Sequence, residues 1–205
     1  YFVDSSTISL FKAILKTGGR PAMSGRKKGG IKVYAMIKAD EDVPCFVRLT
    51  AAASHDVKFI QGLHLPAGSV ITFDKGYFDY KQYDLWTAQK VNWVTRLKHT
   101  GAYTVIKNKR VSSQNKEKGV LSDQIIELGY RQRPSNHQTK ARLIIFNDKD
   151  TKKQFKFISN NLKFDAFTIA SIYQQRWQIE LLFKRIKQNF PLQYFIGDNE
   201  NAIKI

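Results

Sequence analysis

Residues 169–190 read IASIYQQRWQIELLFKRIKQNF, and the rest of the chain is organised around this stretch. At helical spacing Ile172, Ile179, Leu182, Phe183, Ile186 and Phe190 fall on an arc of roughly 100°, the width expected of a helix packed on a core. Tyr173, Arg176, Glu180 and Lys187 fall within about 60° of one another on an adjacent strip. A carboxylate held there with a phenol, a guanidinium and an ammonium can reach a metal or an anion without full desolvation. Taken alone, the strip also reads as a solvated face in which Glu180 pairs with Lys184 at i,i+4.

The remaining residues decide between these readings. The 205 residues can bury one sizeable core with room for a small second lobe. A chain that is 42% apolar and 13% aromatic is composed like a folded domain. The formal net charge of +17 favours a polyanionic partner, nucleic acid first. An anionic membrane surface would call for a basic amphipathic helix or an apolar anchor of ~20 residues, and neither is evident. The single cysteine, Cys45, excludes an internal disulfide and a thiolate zinc cluster. His55, His64, His99 and His137 lack a zinc-ligand spacing. Any metal must therefore be held by oxygen. The opening residues YFVDSST lack an initiating Met and read as a strand already under way, so the sequence is expected to be a piece of a longer protein.

In chain order, residues 1–11 suit a strand carrying Asp4. Residues 18–30 form a basic loop with Arg20, Arg26, Lys27 and Lys28. Strands are expected at 31–39 and 44–51, making an antiparallel meander with the first. Ser54 or Asp56 can cap a short helix running to about residue 63, with His55 as a cap neighbour or an accessory site residue. The run SVITFD at 69–74 is a buried strand with Asp74 at its C-terminal end, where open α/β sheets present functional groups. By itself Asp74 also reads as a plain turn residue. A helix at 79–90, a strand at 91–98 and the helix at 165–189 complete the element order of an RNase H-like fold.

That order predicts a mixed five-stranded α/β sheet flanked by helices. Roughly sixty residues before the last helix are too many for an ordinary loop. They hold strand candidates at 102–106, 120–128, 142–147 and 154–159. Their connections carry Lys107, Lys109, Arg110, Lys116 and Lys118, then Arg131, Arg133, Lys140 and Arg142. The expected division is a first core segment at 1–98, a β-rich insertion at 99–162 and a second core segment at 163–205 with the C-terminal helix.

In such a sheet the first strand lies beside the fourth, which would bring Asp4 and Asp74 to one end of adjacent strands, with Glu180 entering from the last helix. Three carboxylates in a basic surface suit Mg²⁺ or Mn²⁺. Two such ions about 4 Å apart can activate water and stabilise the leaving oxygen of a phosphodiester.

The spacing Tyr173-x-x-Arg176-x-x-x-Glu180, with Lys187 seven positions on, resembles the Tyr-Arg-Glu-Lys signature of insertion-sequence DDE transposases, the family of insertion sequence four. Asp4 in VDSSTI resembles that family's first catalytic block and Asp74 in FDKGYFD its second. A β-rich insertion before the third block fits as well. The resemblance implies a cut-and-paste DNA transposase core in which Asp4, Asp74 and Glu180 bind two Mg²⁺ or Mn²⁺ ions, while Tyr173, Arg176 and Lys187 contact DNA phosphates. Its implied partners are transposon ends and target DNA, with a homodimer in the synaptic complex and no membrane, in the bacterial cytoplasm at the nucleoid.

Relatives stack a flipped base on an aromatic residue, for which Trp93, His99 and Tyr103 are the candidates. Trp93 also reads as core, and Trp177 as either packed on the sheet or in contact with DNA. Relatives also carry an N-terminal domain for the terminal repeats, so this piece is expected to bind DNA weakly, with strong salt sensitivity. Two other readings stay open: a metal nuclease without strand transfer, and a non-catalytic basic nucleic-acid-binding module.

Overall fold

The computed structural model describes residues 1–9, 20–21, 27–28, 30–39, 41, 43–52, 54–129 and 139–189. Arg26, Arg131, Arg133, His137 and Phe190 lie outside the described residues. The chain divides into two compact units: one of Tyr1 with residues 60–176, the other of residues 2–59 and 177–205.

The second of these units contains β1 (Phe2–Ser9), β2 (Gly30–Ile37) and β3 (Pro44–Ala51). They form an antiparallel meander in which β2 pairs with both neighbours, and Asp4 stands opposite Ala35. β3 alternates strictly, with Phe46 and Arg48 half-buried and Cys45, Val47 and Leu49 exposed, as a period of two requires. A single turn of helix, α1 (Val57–Ile60), places Phe59 against Tyr34, with ring centroids 4.6 Å apart.

The unit's long helix is α5 (Trp177–Asn189), numbered in chain order after those described below. Ile179 and Phe183 are buried, and Leu182 and Ile186 half-buried, which is the i, i+3, i+4, i+7 pattern of a one-sided helix. Ile179 and Phe183 form a core with Phe2, Ala35 and Ile37.

The other unit contains β4 (Val70–Phe73), α2 (Tyr80–Ala88) and β5 (Asn92–Arg96). β4 and β5 run parallel, and α2 supplies the crossover that parallel neighbours need. Asp79 caps α2, its carboxylate accepting the Lys81 N–H at 3.0 Å. Tyr83 and Trp86 of α2 pack on Phe73 and Trp93 of the strands, with centroids 4.6 to 5.5 Å apart. β6 (Tyr103–Lys109), the one-turn α3 (Ser113–Glu117), β7 (Val120–Leu128), β8 (Thr139–Asn147) and β9 (Gln154–Ser159) follow. The strand order within this unit is β4-β5-β9-β8-β7-β6. β9 returns antiparallel onto β5, pairing Phe157 with Arg96.

α4 (Ala166–Gln175) lies across these strands, burying Ile169, Ala170 and Tyr173 against Val94, Ile144, Phe146 and Phe157. Each large apolar side chain buried there contributes roughly 1.5–3 kcal/mol. Among the described residues the strands β1 to β5 with α1, α2 and the late helices follow the expected RNase H-like order.

Three expectations need correction. The stretch 169–190 is not one uninterrupted helix: α4 ends at Gln175 and α5 begins at Trp177. No Gly or Pro causes the break. Arg176 is buried to 3% exposure, and its N–H turns to the carbonyl of Tyr173, the i−3 partner that tightens a helix end. Secondly, several cations assigned to basic connections belong to regular elements: Lys107 and Lys109 to β6, Lys116 to α3. Arg142 sits within β8 and is 3% exposed, in a bidentate pair with Asp123 at 2.7 and 2.6 Å, and it also donates to the Phe164 carbonyl. Thirdly, the helix expected to reach residue 63 stops after one turn.

Candidate active site

In the unit built on β1–β3 and α5, Asp4 projects from the middle of β1, and its Oδ1 accepts the Ser5 N–H at 2.8 Å. Glu180 lies in the first turn of α5, where the helix dipole favours an anion. The two carboxylates line one open pocket of about 400 Å³ with Ser6, Lys184 and Lys187. This half of the predicted set, Asp4, Glu180 and Lys187, is therefore brought together. Its donors are two carboxylates and a serine hydroxyl, hard oxygens of the kind that Mg²⁺ and Mn²⁺ prefer, so the side chains present fit such an ion. Within neither unit, among the described residues, do three His, Cys, Asp or Glu side chains gather into a ready-made metal group.

In the other unit Asp74 follows directly on β4. Its Oδ1 accepts the Gly76 N–H at 3.0 Å and its Oδ2 a hydrogen bond from Nη2 of Arg96 at 2.7 Å. The parallel register explains the pairing. Thr72 stands opposite Val94, so two residues further on Asp74 comes level with Arg96. Burial alone would raise the Asp74 pKa. The Arg96 and Gly76 hydrogen bonds, with the charges of Arg96 and Arg176, outweigh it and hold the carboxyl below its ordinary value. Arg96 Nε is buried without a hydrogen-bond acceptor among the described residues.

Tyr173, on α4, is 5% exposed and packs on Phe157 with centroids 4.9 Å apart. The guanidinium carbons of Arg96 and Arg176 each lie 5.5 Å from its ring centroid. Burial raises the Tyr173 pKa against the opposing influence of the two arginines, so the phenol keeps its proton and can donate. Asp74, Tyr173 and Arg176 are thus grouped in this unit around Arg96, a residue the sequence reading missed. Its signal was its place at the end of the strand beside the one that ends in Asp74.

Trp93 is fully buried, its Nε1 donating to Tyr83 O and Thr87 Oγ1, both at 3.2 Å, so the core reading holds for this indole. Trp177 is 63% exposed. No helix among the described residues is long and apolar enough to cross a membrane.

The sequence profile of the family described as "Transposase DDE domain" matches residues 1–198. The chain is 29% identical over 205 residues to y4zB of Sinorhizobium fredii, covering 99% of this chain and 55% of that protein. It is 28% identical over 202 residues to the protein of insertion sequence element IS5377 of Geobacillus stearothermophilus, covering 98% of this chain and 51% of that protein. Both relatives are named as transposases. The chain spans about half the length of the curated relatives it matches. A cryo-EM structure of the piggyBac transposase synaptic complex with hairpin DNA shares its fold, with a TM-score of 0.54 at 9% identity over 98% of this chain and 43% of that one. The fold is of the α/β RNase H-like class.

Proposed function

Because the chain belongs to the transposase DDE-domain family, we propose that it is the catalytic core of an insertion-sequence DNA transposase, with Asp4, Asp74 and Glu180 as its catalytic carboxylates. Support comes above all from the pocket that Asp4 and Glu180 share with Lys187. The family is generally dependent on a divalent metal. Asp4, Asp74 and Glu180 would hold Mg²⁺ or Mn²⁺, two ions on this reading, which when bound supply Lewis-acid activation of water and charge neutralisation at a phosphodiester.

The protein's own side chains do the rest. Lys187 brings an ammonium to the pocket rim beside Glu180, where it attracts a DNA phosphate. Arg176 and the protonated Tyr173 offer donors to a second phosphate, and the Phe157 ring behind Tyr173 fixes that phenol in place. Arg96 keeps the Asp74 carboxylate ionised and oriented, so that no proton has to be lost before it can act. A 3′-OH freed at a transposon end would then serve as the nucleophile toward target DNA. The partners of the whole protein on this reading are transposon ends and target DNA, with a homodimer joining two ends and residues 99–162 acting as the insertion within the core.

The test is cleavage of terminal-repeat DNA by the complete protein in Mg²⁺. Glu180→Ala is expected to bind the DNA and not cut it, and retained cleavage would overturn the assignment. Joining of pre-cleaved 3′ ends to target DNA separates transposition from simple hydrolysis, because a nuclease yields no joined product.

A further inference from the structure

A second pocket, of about 430 Å³, opens beside Asp74, entirely within the unit formed by Tyr1 and residues 60–176. Its size falls within the roughly 300–1,000 Å³ of small-ligand sites. Lys75, Lys98 and Lys156 line it with Arg96, and its wall contains no Asp or Glu. None of the three lysines has an ion-pair partner among the described residues.

Local structure fixes where those charges sit. The Leu97 N–H donates to the Lys156 carbonyl at 2.8 Å, tying the start of β9 to the end of β5 so that Lys98 and Lys156 flank one opening. The Lys98 ammonium lies 4.8 Å from the Phe78 ring centroid and the Lys156 ammonium 5.8 Å from that of Tyr103. A tight turn closes behind Lys98, with the Gly101 N–H on the Lys98 carbonyl at 2.9 Å. A Cβ at Gly101 would come within 2.8 Å of Leu97 Cδ1 and 3.0 Å of the Lys98 carbonyl, so a larger residue there would have to displace the Leu97 side chain. Three unpaired ammonium groups held around one concavity, with no carboxylate to answer them, make a site for a multiply acceptor-bearing anion.

We propose that this pocket grips a DNA backbone phosphodiester, apart from the contacts assigned to Tyr173, Arg176 and Lys187. The choice of DNA as the anion rests on the transposase reading, whereas the choice of the phosphate group rests on the lysines. Since a phosphate carries no sequence information, the grip is sequence-independent and steers a strand past Asp74. The strand comes from a single-stranded or a duplex stretch, and the chemistry in the pocket is the same for both.

The experiment measures equilibrium binding of short single-stranded and duplex oligonucleotides to the complete protein by anisotropy, across a salt series and with metal chelated so that nothing is cut. The variants are Lys98→Gln/Lys156→Gln in the pocket and Lys149→Gln/Lys163→Gln, an exposed pair elsewhere in the same unit. The pocket pair is expected to lower the slope of log affinity against log salt by about 0.7–0.9, the contribution of the one phosphate contact that is lost. The control pair is expected to leave the slope nearly unchanged. The oligonucleotide form whose slope falls further identifies the strand in the pocket.

An equal fall for both pairs, or no fall for the pocket pair, overturns the proposal. So does a Tyr103→Leu variant that loses more affinity than the lysine pair, because a stacked base would then be the occupant. These readouts involve no catalysis. A protein that fails to cut at all can still pass them, and failure here leaves the Glu180→Ala test intact.

Discussion

Removing Arg96 tests the electrostatic core of the site. Its Nη2 lies 2.7 Å from Oδ2 of Asp74, and the two side chains are 29% and 28% exposed. A charge-assisted hydrogen bond contributes about 1.5–3 kcal/mol when well desolvated. With more than a quarter of each side chain open to solvent, screening lowers the coupling to about 1–2 kcal/mol. A double-mutant cycle of Arg96→Gln and Asp74→Asn, followed by urea unfolding, isolates that coupling. For a chain of this size ~1 kcal/mol corresponds to roughly 2–4 °C, so Arg96→Gln is expected to melt a few degrees lower.

The pH dependence carries a sign. The folded Asp74 pKa lies below its ordinary value of 3.8. Its contribution is thus fully present above that value and is lost as pH falls through the lower folded value. The stability gap between the wild type and Arg96→Gln should stay constant from neutral pH to about pH 5 and then narrow in acid. Single variants whose effects add within about 0.3–0.5 kcal/mol, or a gap that ignores acid, would refute the pairing.

Other parts of the fold give further expectations. Trp93→Ala should cost about 3–5 kcal/mol in chemical denaturation, because the indole is fully buried; an equally stable variant with a selective loss of DNA binding would place the ring on DNA instead. Arg142→Ala should cost about 3–5 kcal/mol by stranding the Asp123 charge, and the paired replacement Arg142→Met/Asp123→Leu should cost less, again by denaturation. Burial, reinforced by the charge and hydrogen bond of Asp56, pushes the Tyr34 pKa up from 10.0 to about 12. Its stabilising contribution is therefore complete below pH 10 and lost as pH rises through about 12. The absorbance titration of wild type minus Tyr34→Phe checks this, and a midpoint near 10 would contradict it.

The elements that carry their own signals were legible in the sequence. The bounds of β3, β7 and β9 follow from alternation and turn residues. Asp74 at a strand end followed from an apolar run stopping at an acid. The partner of Asp74 was not legible, since Arg96 reaches it through a parallel register joining residues 22 apart, which no local spacing announces. The helix break at Arg176 was hidden for a similar reason. Residues 174–177, QQRW, are good helix formers or neutral, and the break follows from where the arginine is buried. Arg142 looked like a surface cation because its partner Asp123 lies on a neighbouring strand.

Tyr173 carries two guanidinium groups on one ring, and one of them, Arg96, is also held by Asp74. Burial and the charge of Arg176 act against the charged form of Arg96, and the interactions with Asp74 and Tyr173 outweigh them. The packing of α4 on β9 thus holds two like charges near one phenol ring. On the reading proposed above, an oxyanion arriving there meets positive charge that the fold has already placed, and little has to be rearranged to receive it. In that sense the ring is a fixed seat for charge, set by packing before any ligand arrives.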